Sequence, residues 1–148
     1  MSELQSFQGY LNQVIPLTRA LGINLDHYDG QRLDVSAPLA LNHNHQGTGF
    51  GGSLYSVAVV AAWGLLELWL RETGRQGSVV IQSGEMDYRQ PATADFLACA
   101  QLPLEADFKR FADTFDRKGR ARLNLASRVY AGPDEPVAVF EGRFVVLA

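Results

Sequence analysis

Residues 42–73 read NHNHQGTGFGGSLYSVAVVAAWGLLELWLRET, and the reading of this stretch decides the fold. It begins polar, carries four glycines in six residues (Gly47, Gly49, Gly51 and Gly52), and then turns apolar. No Asp, Glu, Lys or Arg occurs between Asn42 and Leu66. A glycine-rich turn running into a helix gathers unpaired backbone N–H groups at one point, and the helix dipole adds partial positive charge there. Such a point suits an anion, or the oxyanion that develops in acyl chemistry. The helix that follows is apolar nearly all round, so other elements must cover most of its circumference.

Those other elements are legible on both sides. Upstream, Leu4, Phe7, Leu11, Val14 and Ile15 share one face at helical spacing, which predicts an amphipathic helix over 3–21. Pro16 predicts a kink or a second short helix, and Gly22 a stop. From Ile23 the period changes to two. Ile23 and Leu25, then Leu33, Val35 and Ala37, flank Asp29-Gly30 and predict a hairpin closed by Pro38. Downstream, Thr73-Gly74 ends the central helix. Strands are predicted over 78–88, 94–102, 120–131 and 137–147. Phe108, Phe111 and Phe115 mark a short helix before Lys118-Gly119. Strands segregated from helices in this way predict an α+β domain, a curved antiparallel sheet wrapped around a long central helix.

Composition bounds the function. The chain has 148 residues, 47% apolar and 20% charged, with a formal net charge of -3, which predicts one globular domain over 1–148 and gives no reason to expect nucleic acid as a partner. A single cysteine, Cys99, allows no internal disulfide and fits a reducing cytoplasm. The first twenty residues lack the pattern of a signal peptide. The apolar run Val57–Leu66 is too short for a membrane span, so a soluble cytoplasmic protein with no membrane partner is expected.

The pattern Asn44-x-x-Gly47-Thr48-x-Phe50-Gly51-Gly52-Ser53 resembles the Asn-x-x-Gly-x-x-His-Gly-Gly turn of hotdog-fold thioesterases, and Arg89-Gln90-Pro91-Ala92 resembles their Arg-x-Pro-Ala strand end. More narrowly, residues 37–64, APLALNHNHQGTGFGGSLYSVAVVAAWG, are similar to a bacterial subgroup long labelled thioesterases and associated with decarboxylation of malonyl-acyl carrier protein. The resemblance spans essentially the whole chain. It implies a hotdog fold, and a homodimer in which Tyr88 and Arg89 of one subunit lie near Asn44 of the other. The implied substrate is malonyl-acyl carrier protein or an acyl-CoA, with no cofactor.

One departure bears on the chemistry. Many hotdog thioesterases carry an Asp or Glu on the central helix about seven residues past the second glycine of the pair; here that residue is Val59, and Phe50 replaces the usual His. Hydrolysis needs a group that activates water or attacks the thioester. Glu67 and Asp87 are the alternative acids. Decarboxylation of a malonyl thioester needs neither nucleophile nor base, only stabilisation of the enolate oxygen and a dry wall. Asn44 is the principal catalytic candidate, with the backbone of Gly51, Gly52 and Ser53 as oxyanion donors. His45, Thr48, Phe50, Tyr55, Val59, Tyr88 and Arg89 are candidates to contact substrate.

Plainer readings stand beside these. Asn44 can instead fix its loop by side-chain-to-backbone bonds. His43 and His45 form His-x-His with no neighbouring acid or thiol, so no metal site is expected. Lys109, Arg110, Arg117, Lys118, Arg120 and Arg122 crowd into fourteen residues. Such a patch attracts an acidic carrier protein or coenzyme A phosphates, or is simply a solvated face. Three functions stay open: a decarboxylase, a thioesterase, and a non-catalytic acyl-binding domain.

Overall fold

The computed structural model describes residues 2–148, and its centre is the 22-residue helix α3 (Gly51–Glu72). Before it come α1 (Glu3–Val14), α2 (Leu17–Ala20), β1 (Asn24–Tyr28), β2 (Arg32–Ala37) and a 3-10 turn at Leu39–Leu41. After it come β3 (Ser78–Tyr88), β4 (Phe96–Gln101), α4 (Glu105–Lys118), β5 (Arg120–Tyr130) and β6 (Ala138–Leu147). The six strands form one antiparallel sheet in the order β1-β2-β4-β5-β6-β3.

Local chemistry explains the boundaries. The Ser2 hydroxyl accepts the Gln5 N–H at 3.1 Å while Gln5 Oε1 accepts the Ser2 N–H at 3.0 Å, a capping box that starts α1. Pro16 divides α1 from α2, the second of the two arrangements its position allows. β4 begins at Phe96 because the Asp95 carboxylate is turned to the Leu39 N–H, 2.8 Å away. α4 is a full 14 residues rather than a short helix, with Glu105 and Asp107 in its first turn, Arg117 and Lys118 in its last, and Gly119 left-handed at its end.

α3 lies against β2, β3, β4, β5 and β6, and Val57, Ala58, Ala61, Ala62, Leu65 and Leu66 have no exposed surface. Its length and mean hydropathy of 1.6 would suffice to cross a membrane, yet 72% of that window is buried inside the protein. It is a core helix. The sheet answers it by alternation: Ala121, Leu123, Leu125, Ser127 and Val129 face inward along β5, and Ser127, the polar member of the row, donates to the Ala58 carbonyl at 2.8 Å. α4 closes the far end, where Phe108, Phe111 and Phe115 surround Trp69 with ring centroids 5.2, 5.5 and 6.3 Å away.

β3 is an edge strand, paired with β6 on one side only. At Val79 side chains of α3 bind the backbone: Trp63 Nε1 donates to the Val79 carbonyl at 2.9 Å, and the Val79 N–H donates to Glu67 Oε1 at 3.3 Å. Burial raises the Glu67 carboxyl above its ordinary value of 4.5, against the lowering effects of the Val79 N–H and Arg71. A carboxyl raised on folding binds its proton more tightly in the native state. Its contribution is therefore present below pH 4.5 and declines as the pH rises through the folded value. Glu67→Gln keeps an acceptor for Val79 and removes the charge. The variant is expected to be more stable than the parent at pH 8 and to lose that advantage near pH 4.5. Urea unfolding at the two pH values measures it.

Candidate active site

The turn before α3 is built by side chains of its own segment. Asn44 Oδ1 accepts the N–H groups of Gln46 and Thr48 at 2.9 and 3.1 Å, and Asn44 Nδ2 donates to Thr48 Oγ1 at 2.9 Å. The Asn44 and Thr48 backbones join at 2.7 Å, and Gly47 stands between them at φ +81, a conformation that a residue with a Cβ rarely adopts. The loop-fixing role of Asn44 is thus filled. One of its two amide hydrogens is spent on Thr48 and the other has no partner among the described residues.

Four further hydrogen bonds fix the turn. The side-chain amide of buried Asn42 donates to the carbonyls of Leu21 and Pro38, both at 2.8 Å, and its backbone carbonyl accepts the Phe50 N–H at 2.7 Å. The Gly49 N–H donates to the Ala92 carbonyl at 2.8 Å, which joins the glycine turn to the end of the Arg89–Ala92 segment.

The entry to α3 leaves two donors open. Phe50 caps the helix with no side-chain bond, and its carbonyl accepts both Ser53 N–H and Leu54 N–H, at 2.9 and 3.0 Å. The Ser53 N–H expected as an oxyanion donor is therefore committed to the helix. Gly51 N–H and Gly52 N–H have no partner among the described residues. The first turn holds no acidic side chain, so these two donors meet the dipole's positive end unneutralised. The Phe50 ring lies so close to Gly52 that a Cβ there would come within 2.5 Å of it, an apolar screen beside the donors.

Tyr88 completes the turn. Its hydroxyl donates to the Gly51 carbonyl at 2.8 Å, and its ring covers Gly51. Burial and then the neighbouring Tyr55 raise the Tyr88 phenol, so it stays a neutral donor. The resemblance implied that Tyr88 and Arg89 reach Asn44 across a dimer interface; within one chain Tyr88 already reaches Gly51. Arg89 turns away, to Asp87 at 3.0 Å, with both side chains exposed.

From Tyr88 inward, α3 and β3 run side by side. Tyr55 and Val59 follow Gly51 at four-residue intervals on one helix face, opposite Gly84 and Ile81. Between them, with Ile15 and Leu17, lies an apolar groove of about 490 Å³. Tyr88 on Gly51 closes one end of this interface, and Trp63 and Glu67 on Val79 close the other. Glu67 is sixteen residues past Gly51, about 24 Å along the helix. It cannot serve the turn of its own chain. Asp87, the other candidate acid, is committed to Arg89.

The remaining candidates are placed as follows. Thr48 is half-buried as the partner of Asn44, while His45 is exposed on the loop. His43 Nδ1 lies 3.0 Å from the Asn44 carbonyl, and no group of three or more His, Cys, Asp or Glu among the described residues is disposed to hold a metal. The cationic patch is partly spent on α4, where Lys109 pairs with Asp113 at 2.7 Å and Arg110 with Asp107 at 3.5 Å. α4 packs on Trp69, eighteen residues past Gly51 and about 27 Å along the helix, so this patch is remote from the turn of its own chain. Sequence reasoning did not single out Asn42 or the Tyr88–Gly51 bond. The signal for Asn42 was slight, a polar residue directly ahead of the glycine turn.

A sheet wrapped on one long helix, with a glycine turn at the helix start, defines the hotdog fold. The chain belongs to the family described as "Putative thioesterase (yiiD_Cterm)", whose model matches residues 4–148. Among solved structures it is similar to a protein of unknown function from Chlorobaculum tepidum TLS, with 31% identity, 97% of this chain and 93% of that one covered, and a TM-score of 0.92. It also shares its fold with a protein described as a "putative thioesterase" from Shewanella oneidensis, at 23% identity, 98% and 97% coverage and a TM-score of 0.84. A Pseudomonas aeruginosa protein of unknown function, described as a "Probable Thioesterase", matches at 19% identity, 99% and 97% coverage and a TM-score of 0.81.

Proposed function

We propose that this protein decarboxylates malonyl-acyl carrier protein to acetyl-acyl carrier protein in the cytoplasm, supplying a starter for fatty-acid synthesis. The observation that carries the reading is a pair of open N–H donors at Gly51 and Gly52 with no acid on α3 before Glu67. The bond between the malonyl carboxylate and the α carbon breaks and CO2 leaves. Its electron pair moves into the thioester to give an enolate, and water then protonates the α carbon. The Gly51 and Gly52 donors face the enolate oxygen, and the free Asn44 amide hydrogen orients the carboxylate or shares that oxygen. Phe50 keeps water thin around the carboxylate, which favours its loss.

The family description favours a second reading, thioester hydrolysis, and a hotdog domain that merely binds acyl groups is the third. Mass spectrometry of malonyl-carrier protein incubated with the enzyme separates them. Loss of CO2 with the acetyl group retained supports decarboxylation. A freed carrier thiol replaces it with hydrolysis, and an unchanged carrier overturns both.

The reading includes a homodimer. An 11-residue edge strand with Val80 48% and Ile81 40% exposed is a ready template for pairing with a second copy. Pairing there would also cover the groove beside Leu17. Changing both Val80 and Ile81 to lysine is expected to convert a dimer to monomer with the fold retained, as read by light scattering and circular dichroism. A parent protein that is monomeric at micromolar concentration would remove this part of the proposal.

A further inference from the structure

β5 is paired unevenly. β6 follows it as far as Arg120, opposite Leu147, but β4 stops at Gln101, opposite Ala126. The Leu102 N–H has already turned to the Gln31 carbonyl, 2.9 Å away, and the chain leaves through Pro103 into α4. Residues 121–125 are therefore an open strand edge on that side, and among the described residues no hydrogen bond reaches it from α4. α4 packs against β5 and leaves a cleft of about 570 Å³ along this edge, lined by four consecutive strand residues from Ala121 to Asn124.

The cleft is cationic in a chain whose formal net charge is -3. Arg110, Arg122 and Arg143 line it, against Asp107 as its one acid. Asp107 serves Arg110, at 3.5 Å. Arg122 and Arg143 have no ion pair among the described residues. Register sets Arg143 directly opposite Asn124, and Arg122 lies two residues before Asn124 on the same face. The two arginines are thus diagonal neighbours across adjacent strands, close enough for long side chains to converge. Glu141, two residues from Arg143 on its face of β6, stands opposite Glu85 of β3 and makes no ion pair with Arg143.

The geometry points to a second ligand site in this cleft, one that takes a small organic phosphate. Arg122 and Arg143 fork onto the phosphate oxygens, and Arg110 meets them from α4. The open N–H groups of the strand edge add neutral donors. Pro103 and Phe111 give the organic body an apolar wall, and the volume is that of a ligand pocket. α4 sits on Trp69 at the far end of α3, so the site is separate from the glycine turn of its own chain and stands without the acyl-thioester reading. Two sources carry this chemistry, the nucleotide end of coenzyme A and a free nucleotide.

The test is calorimetric titration of the whole chain at low salt with adenosine 3′,5′-bisphosphate, the nucleotide end of coenzyme A, and with ADP. The parent protein is expected to bind at least one of them. Arg122→Gln and Arg143→Gln each weaken that binding about tenfold or more, the loss of a charged hydrogen-bonding partner. Both side chains are exposed, so the core is untouched by either change. Lys118→Gln removes the same charge from the last turn of α4, outside the cleft, and leaves the affinity unchanged. Tighter binding of the bisphosphate assigns the site to coenzyme A, tighter binding of ADP to a free nucleotide, and either supports the site. A parent protein that binds neither overturns it. So does binding that survives both arginine changes, or that Lys118→Gln weakens as much as they do, which is diffuse attraction to a basic surface.

Discussion

Asn44→Asp is expected to lose most turnover while keeping the loop, and that combination separates a catalytic amide from a structural one. In the folded chain Asn44 Oδ1 accepts the Gln46 and Thr48 N–H groups, and aspartate offers those two bonds an oxygen in the same place. The second carboxylate oxygen faces Thr48 Oγ1, which rotates to donate where it now accepts. The loop therefore keeps its contacts. What disappears is the free amide hydrogen, and what appears is a negative charge beside the place where the malonyl carboxylate and enolate oxygen must lie. Removing one donor from an oxyanion site costs roughly 100-fold or more in rate, and the added charge deepens the loss. Asn44→Ala also loses activity, but it breaks three loop bonds and lowers the melting temperature as well. Decarboxylation rates and thermal melts of both variants are the measurement. Full turnover in a stable Asn44→Asp protein would leave Asn44 with its loop role alone.

The parts that were legible in the sequence are those governed by near neighbours. The strand predicted over 78–88 is β3 to the residue, and the uncharged run after the glycines marked α3. Pro16 and Gly22 punctuated the N-terminal helices where their backbone chemistry requires. Most of what escaped depended on partners far along the chain. The late start of β4 comes from Asp95 being drawn to Leu39, 56 residues away. That Ser53 has no N–H to offer follows from the way Phe50 turns its carbonyl into the helix, a matter of one ψ angle. The glycine pattern gave no hint that Tyr88 would reach Gly51 within one chain, because that contact needs the antiparallel course of α3 and β3. Strand order was equally hidden: β3 leaves the helix and pairs with the last strand, not the next one.

The same long-range logic predicts an unusual coupling in the sheet. Phe140 is fully buried between Tyr55 and Phe144, so Phe140→Ala alone is expected to cost about 3–5 kcal/mol through lost burial and the cavity it leaves. Gly142→Ala alone forces a methyl group to within 2.4 Å of that ring, and overpacking of this kind costs about 1–3 kcal/mol even though alanine suits a strand better than glycine. With the ring gone, the methyl enters vacated space and refills part of the cavity. The double variant should therefore be more stable than the sum of the two losses implies, and more stable than Phe140→Ala itself. Contacting residues commonly couple by about 0.5–3 kcal/mol, which a four-protein cycle of urea unfolding curves resolves. Strict additivity would mean that the glycine is not there to admit the ring. In that case the pairing of Gly84 with Gly142 would need another cause.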